Sequence, residues 1–277
     1  MSRRIVVLLC ALAGAAIAVS GCAAGQAVDP VSKAAAATLS TSGYKMSGIM
    51  SVTGGAAPVN ATVSGQIDPA TNSGTMTIDE TVGGQRVSGP AIFSQLNFWM
   101  RSSAIAGAAR RTGGKAWIYV DMTKALGAVG VGSLASTVNP SQFLQYLRTV
   151  GANPTVVGPM TIHGVHTTEY RAMVDLRRYA QQYHVPTNAI ASLQSALGGH
   201  SLPVQAWIDA SNRVRRLHVS FPECVAGSRL QFSMTMGIYG FGTQPQVQIP
   251  ARSAVYNLTP LLASESRSLK LGCSSAG

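Results

Sequence analysis

The residue whose surroundings define its chemistry best is Cys22. It follows Val19-Ser20-Gly21, so a thiol comes directly after two small residues at the end of an apolar stretch. This quartet is typical of the bacterial lipobox, in which the cysteine sulfur receives a diacylglycerol and becomes the first residue after cleavage. An ordinary cleaved signal with a chance cysteine is the alternative, and the position directly after glycine argues against it. We therefore expect Cys22 to carry a lipid anchor.

The stretch before Cys22 has the organisation of a secretory signal peptide. Arg3 and Arg4 supply the positive start, and the apolar stretch Ile5 to Val19 is too short for a comfortable membrane span. The sequence predicts a signal peptide over residues 1–21, with general or twin-arginine export both open, and a lipidated tether over 22–28. Two acyl chains hold a protein stably on a membrane where one does not. We expect attachment to the extracytoplasmic face of a bacterial cell membrane.

The remaining cysteines fit that compartment. Cys10 lies in the predicted signal, which leaves Cys224 and Cys273 as an even pair in an oxidising environment. We predict a disulfide between them, which in the chain-entropy model contributes about 4 kcal/mol for a loop of roughly 50 residues. Two free thiols or a metal site are the alternatives. No second cysteine or histidine stands at ligand spacing from either, so no metal is predicted.

The net charge is +11, and it falls to +9 once Arg3 and Arg4 leave with the signal. A basic balance suggests nucleic acid or an anionic membrane surface. Nucleic acid is a poor partner outside the cell, and the chain has no array of aromatic and basic residues that would stack bases. Anionic lipid headgroups are one candidate partner, and a merely solvated surface is the other reading. The basic residues concerned are Arg101, Arg110, Arg111, Lys115, Arg213, Arg215 and Arg216.

Residues with catalytic potential do not form a recognisable active site. Asp79 and Glu80 are adjacent, and neighbours on a strand point to opposite faces, so they do not share a substrate as a general acid and base would. His163 and His166 flank the turn at Gly164, which favours an exposed hairpin over a metal site. No Gly-x-Ser-x-Gly elbow and no phosphate-binding glycine loop is present. We predict neither an enzyme nor a bound cofactor.

The elements that must position any site are mostly strands. Asp29-Pro30 caps a first helix over Val31 to Leu39. Apolar or small residues then alternate with polar ones, which predicts successive antiparallel strands. These are Tyr44 to Thr53, Val59 to Asp68, Gly74 to Glu80, Gln95 to Arg101, Lys115 to Asp121, Thr155 to Val157, His166 to Val174, Leu202 to Ile208, Val214 to Phe221 and Leu230 to Tyr239.

Helices interrupt this series of strands. The sequence predicts them over Phe143 to Val150, Leu176 to Tyr183 and Thr187 to Leu197. Helices inserted into a meander must lie on one face of the sheet or at its ends, which indicates an α+β fold. We predict a single domain over 29–277: one curved antiparallel sheet, a half-barrel of about ten strands, with helices covering its concave face.

Four segments carry a resemblance to a known family. They are Trp117 to Met122, the helix after Asn139-Pro140, Ile162 to Tyr170, and Val204 to Asp209. In order and spacing they resemble the LolA-like lipoprotein carriers, nearest to the LppX/LprG group of actinobacterial lipoproteins. The resemblance covers roughly Val31 to Gly242, and the Ala/Gly/Arg loop at Ser103 to Gly114 departs from it.

The resemblance implies a concave sheet that holds the acyl chains of a lipid or of a lipid anchor. Flexible and small apolar side chains would line such a pocket, although the same residues also suit an ordinary core. The candidate lining residues are Met46, Met50, Val63, Met76, Ile78, Phe98 and Met100. Two functions remain open: a lipid-binding or lipid-transfer lipoprotein, and a non-enzymatic interaction or signalling lipoprotein with a packed core. A cavity of ligand size distinguishes the first from the second.

Overall fold

The computed structural model describes residues 29–55, 58–82, 84–101, 113–126, 140–151, 154–182, 190–191, 194–195, 197, 199–225 and 228–266. The predicted signal peptide, the tether with Cys22, and Cys273 lie outside the described residues, as does the side chain of Cys224. The lipid anchor and the disulfide therefore stay predictions. Most of the Ala/Gly/Arg loop and most of the helix predicted over Thr187 to Leu197 also lie outside them.

Within the described residues, twelve strands form one sheet. Their bounds are β1 Tyr44–Thr53, β2 Val59–Asp68, β3 Ser73–Val82, β4 Gln85–Ser94, β5 Asn97–Met100, β6 Trp117–Asp121, β7 Thr155–Ile162, β8 Val165–Asp175, β9 Ser201–Asp209, β10 Val214–Val225, β11 Ser228–Tyr239 and β12 Val255–Asn257. The order across the sheet is β12-β6-β5-β4-β3-β2-β1-β11-β10-β9-β8-β7. The chain thus builds one half outward from β1 to β6 and fills the other half from the edge strand β7 back to β11.

The described helices are short. They are α1 Pro30–Leu39, α2 Met122–Leu126, α3 Pro140–Leu147, α4 Leu176–Gln182 and α5 Thr259–Ser266, with a 3-10 turn at Arg252–Ala254. The predicted fold class, an α+β half-barrel with a single curved sheet, is confirmed. The predicted strand number and pairing are corrected, because the sheet has twelve strands rather than about ten and β12 joins β6 in parallel.

Helix α1 begins where the sequence predicts. The Asp29 carboxylate accepts hydrogen bonds from the backbone N–H groups of Val31 and Ser32, both at 2.9 Å, and Pro30 occupies the first turn. This cap satisfies two of the donors that a helix start leaves unpaired. One face of the helix is fully buried, at Val31, Ala34, Ala35 and Thr38.

Polar contacts fix α1 between α3 and the sheet. The Ser32 hydroxyl donates to the Leu147 carbonyl of α3 at 3.1 Å. The buried Thr38 hydroxyl accepts the backbone N–H of Val214, the first residue of β10, at 2.9 Å. The same hydroxyl donates to the Ala34 carbonyl, so it is fully used. The helix pair α1 and α3 is therefore held over the sheet by directional bonds as well as by apolar packing.

Candidate functional site

A cavity of about 280 Å³ lies on the face of the sheet that β1, β2 and β3 share, and α3 contributes one wall. It is lined by twelve apolar residues, one glycine and one carboxylate. They are Met46, Gly48, Ile49, Met50, Ala61, Val63, Met76, Ile78, Glu80, Phe98, Met100, Phe143, Met234 and Met236. Six of the ten methionines of the chain are among them.

Strand register places three of the cavity methionines in one row across this face. Met46 pairs with Gly65, Gly65 with Met76, Met76 with Ala91, and Ala91 with Met100. Large and small residues therefore alternate across five neighbouring strands. The three methionines of this row line the cavity, whereas Gly65 and Ala91 between them do not.

The next row across the sheet contains two further glycines. Met236 pairs with Gly48, Gly48 with Val63, Val63 with Ile78, and Ile78 with Gly89. Gly48 lines the cavity itself. Gly89, at the other end of the Val63 and Ile78 pair, is not part of the lining.

One end of the cavity is closed by the packed core. Tyr44, Ile67 and Phe93 are fully buried in the row beyond Met46. The Tyr44 hydroxyl shares a hydrogen bond of 3.2 Å with Ser141 of α3. Burial raises the pKa of Tyr44 well above its usual range, and the bond to Ser141 offsets part of that effect. The phenol is therefore neutral and ties the closed end of the cavity to α3.

Burial decreases along the strands away from this closed end. On β1 the exposed fraction rises from 0% at Tyr44 to 4% at Met46, and Met50 is only partly buried. On β3 Met76 is buried, Ile78 is partly buried and Glu80 is half-buried. The cavity is thus closed near Tyr44 and opens toward the β1–β2 and β3–β4 hairpins.

Glu80 is the charged residue of the lining. It pairs with Ala61 on β2 and with Val87 on β4, in the same row as Met50. Its neighbour Asp79 points to the opposite face of the sheet, where Arg86 binds it through two guanidinium nitrogens. The hydrogen bond from Arg86 lowers the pKa of Asp79. The expectation that the two adjacent carboxylates face opposite sides therefore agrees with the structure.

All seven residues proposed from the sequence line this one cavity. Sequence reasoning missed the other seven lining residues, which are Gly48, Ile49, Ala61 and Glu80 of β1 to β3, Phe143 of α3, and Met234 and Met236 of β11. Alternation along β11 shows that these two methionines share a face. Only the pairing of β11 with β1, across most of the chain, shows that this face is the face of Met46 and Met50.

The other candidate residues are not brought together. His163 occupies the β7–β8 turn with a positive φ of 48°, and His166 is exposed, with Thr161 as its hydroxyl neighbour at 3.4 Å. In the part of the chain that the structure describes, no three His, Cys, Asp or Glu side chains are placed to hold a metal ion. None of the described helices combines the length and the apolarity needed for crossing a membrane.

Several basic residues considered for lipid headgroups have partners in the protein. Asp209, which is 6% exposed, accepts the Arg215 guanidinium at 2.6 Å and the backbone N–H groups of Ser211 and Arg213 at 2.9 Å. Arg213 and Arg215 also lie over the Phe241 ring, at 4.5 and 4.8 Å from its centroid. This cluster ties the β9–β10 hairpin to the segment after β11.

The remaining described basic candidates also contact neighbouring groups. The Arg101 guanidinium lies 5.7 Å from the Trp117 ring, and Arg216 lies 5.8 Å from the Trp207 ring. Lys115 donates to the carbonyl of Ser253. Arg110 and Arg111 lie outside the described residues.

No family model and no curated protein matches the chain. Among solved structures it is similar to lipoprotein LppX of Mycobacterium tuberculosis, with 13% identity, 79% of this chain and 96% of that chain covered, and a TM-score of 0.45. It is also similar to LprF of Mycobacterium bovis, with 15% identity, 80% of this chain and 94% of that chain covered, and a TM-score of 0.44. A third similar structure is a putative outer membrane lipoprotein-sorting protein domain from Vibrio parahaemolyticus, with 7% identity, 84% of this chain and 97% of that chain covered, and a TM-score of 0.29. These similarities concern the fold, and the case for a function rests on the cavity itself.

Proposed function

We propose that this protein is a membrane-anchored lipoprotein that holds the acyl chains of a lipid in the cavity formed by β1, β2, β3 and α3. The observation that carries the proposal is an apolar cavity of about 280 Å³ whose lining contains a single charged side chain. An apolar cavity of roughly 150 Å³ already stays free of water and binds benzene. A cavity of nearly twice that volume suits a longer hydrocarbon segment.

The lining is suited to chains of varied shape. Each buried methylene contributes about 0.8 kcal/mol to binding. Methionine side chains are unbranched and flexible, so they adapt to ligands of different outline. Six methionines around one cavity are therefore expected to accommodate acyl chains without demanding one particular length or degree of unsaturation.

The cavity also supports this proposal over the packed interaction lipoprotein. A protein interior is packed as densely as an organic crystal and contains few voids larger than one water molecule. A water occupies about 30 Å³ in the liquid, so about 280 Å³ is far more than a packing defect. The cavity favours lipid binding over a role based on the outer surface alone.

The anchor and the cavity have separate tasks in this proposal. Cys22, acylated after removal of residues 1–21, holds the protein on the extracytoplasmic face of the membrane through the tether 22–28. The cavity takes a second, exchangeable lipid, which allows transfer of lipid or lipoprotein across the cell envelope. The chemistry is binding and release, with no catalysed reaction.

Mass spectrometry tests the proposal most directly. Residues 23–277, expressed without the anchor cysteine and purified gently, are measured under native and then denaturing conditions. We expect a native mass above the chain mass, with the excess released as lipid on denaturation. A bare chain mass, repeated after incubation with membrane lipids, would instead support the partner-binding alternative.

A further inference from the structure

We propose that the Glu80 carboxylate selects the polar end of the bound lipid, favouring ends that donate hydrogen bonds, such as hydroxyl or ammonium groups, over anionic ends. This inference rests on the proposed function and specifies its ligand class. It starts from the position of the carboxylate, which contributes to the lining in the row of Met50 and Ala61, toward the open end of the cavity.

The direction of the cavity determines which part of a lipid meets Glu80. The closed end is formed by Tyr44, Ile67 and Phe93, all fully buried, and it offers a bound chain only apolar surface and a phenol already bonded to Ser141. The hydrocarbon end of a ligand therefore belongs there. Its polar end then lies three rows further along β1 and β3 from Tyr44, beside Glu80.

Glu80 is available for a ligand. Within the described part of the chain, no hydrogen bond or ion pair engages its carboxylate, and no Lys, Arg or His is in the cavity lining. The nearest cation along the pairing, Arg86, is bound to Asp79 on the other face of the sheet. The carboxylate oxygens of Glu80 are not fully buried, so a ligand can reach them.

The chemistry of a carboxylate sets the selectivity. An ionised carboxylate only accepts hydrogen bonds, so hydroxyl and ammonium groups complement it, and bonds of this charge-assisted kind are about twice as strong as neutral ones. A carboxylate or phosphate end brings a second negative charge next to Glu80, and the apolar surroundings screen that repulsion less than water does. The same acyl chain should therefore bind more weakly when its end is anionic.

Three ligands with the same C18 chain test the selectivity. Monoolein, oleylamine and oleate are titrated at pH 7.5 against the uncharged fluorescent probe N-phenyl-1-naphthylamine bound to the mature domain. We expect monoolein and oleylamine to displace the probe at concentrations about tenfold below that of oleate, the factor that corresponds to one hydrogen bond to a charged group. The comparison of monoolein with oleylamine shows whether a neutral or a cationic donor is preferred.

Two variants assign the effect to Glu80. In Glu80→Gln the difference between monoolein and oleate should shrink to about twofold, mainly because oleate binds more tightly once the repulsion is gone. Asp79→Asn removes one negative charge from the adjacent position on the opposite face, and it should keep the wild-type ratio. Both variants are first checked for a native fold by circular dichroism.

The outcomes separate this inference from the proposed function. If the probe and all three ligands fail to bind the wild type, lipid binding in the cavity is wrong and the role of Glu80 falls with it. If they bind but oleate competes as well as monoolein, or if Glu80→Gln leaves the ratio unchanged, the cavity function stands and the Glu80 proposal is overturned.

Discussion

Met46 of β1 lies directly opposite Gly65 of β2, so a long flexible side chain faces a position that has none. Gly65 is in turn opposite Met76 on β3. The register thus places the long side chains of two cavity-lining methionines on either side of a residue that has no side chain.

Gly65 also permits close approach of the strands, and this predicts the effect of adding a methyl group. A Cβ at Gly65 would lie 2.8 Å from the Cβ and 2.9 Å from the Cα of Met76, so β3 would have to shift. We expect Gly65→Ala to lower the free energy of unfolding by about 1–3 kcal/mol, the usual cost of overpacking. Urea denaturation measures the change.

Gly48→Ala is the matched control for that variant. A Cβ at Gly48 would meet the Thr235 carbonyl oxygen at 3.4 Å and the Met46 terminal methyl at 3.7 Å, which are tolerable contacts. Gly48→Ala should change the free energy of unfolding by no more than about 1 kcal/mol, since alanine also lowers the entropy of the unfolded chain. Equal losses in the two variants would show that close approach at Gly65 does not limit the strand spacing.

A charge placed inside the cavity should abolish lipid uptake. Val63 is partly buried in the middle of the lining, whereas its neighbour Thr62 is exposed on the opposite face. Val63→Asp places a carboxylate against the hydrocarbon of the ligand, and burial of an unpaired charge is costly. We expect native mass spectrometry to show at least about a tenfold loss of bound lipid for Val63→Asp.

Thr62→Asp introduces the same side chain one residue away, so it controls for a general effect of charge on this strand. We expect it to keep wild-type occupancy, and circular dichroism should show native strand content in both variants. Met76→Asp, from the neighbouring strand, should behave as Val63→Asp does. Undiminished lipid on Val63→Asp with the fold intact would exclude this cavity as the binding site.

Much of the cavity follows from local sequence patterns. The alternation is uninterrupted in β2 and is broken in β1 only by the exposed Ile49, and the predicted bounds Tyr44 to Thr53 and Val59 to Asp68 are those of the structure. The period of two therefore places Met46 and Met50 on one face, and likewise Val63 with Ala61. Since hairpins join β1, β2 and β3 in sequence, these faces become neighbours without any long-range information.

Strand β4 was missed because Gly89-Pro90 interrupts its pattern, and proline usually argues against a central strand. The Pro90 carbonyl accepts the N–H of Arg101, just past the end of β5. The proline nitrogen therefore points toward β5, at the position where the pairing of β4 with β5 ends, and away from β3. No hydrogen bond to β3 is lost. The proline is tolerated for a reason that depends on the length of the neighbouring strand.

Strand β12 and the far wall of the cavity depend on contacts between distant segments. Val255–Asn257 has only three residues and pairs in parallel with β6, so neither length nor alternation reveals it. Met234 of β11 pairs with Met50, and Phe143 reaches the cavity because α3 packs on α1. Such pairings are set by the closure of the whole sheet and are not encoded in a local pattern.

The cysteine pair gives a prediction that needs only the purified protein. If Cys224 and Cys273 form the expected disulfide, the exported chain should have no thiol that reacts with iodoacetamide until a reductant is added, because the lipid proposed on Cys22 would block that thiol. Mass spectrometry of alkylated peptides counts the thiols. Reduction should lower the free energy of unfolding by about 2–4 kcal/mol. Two alkylated cysteines in the unreduced protein would exclude the disulfide.

The Asp209 cluster makes stability depend on pH in a defined direction. Burial on its own would raise the pKa of Asp209, but the backbone N–H of Arg213, the hydrogen bond from Arg215 and the two positive charges together hold that pKa below its usual value. The unfolded chain therefore binds this proton more readily than the folded chain does. The resulting stabilisation is fully present above the unfolded pKa of about 3.9, and it is lost as the pH falls through the lower folded value.

Urea unfolding of the wild type and of Asp209→Asn between pH 7 and pH 2.5 tests this account. At pH 7 the variant should be less stable by about 1–3 kcal/mol, because two guanidinium groups lose a charged acceptor. The two stability curves should converge as the pH falls below about 4, since protonated Asp209 resembles asparagine. Asp79→Asn should alter the pH dependence less, because the pair of Asp79 with Arg86 is exposed and screened by solvent. Parallel curves for wild type and Asp209→Asn would mean that the cluster holds the β9–β10 hairpin by packing on Phe241 rather than by charge.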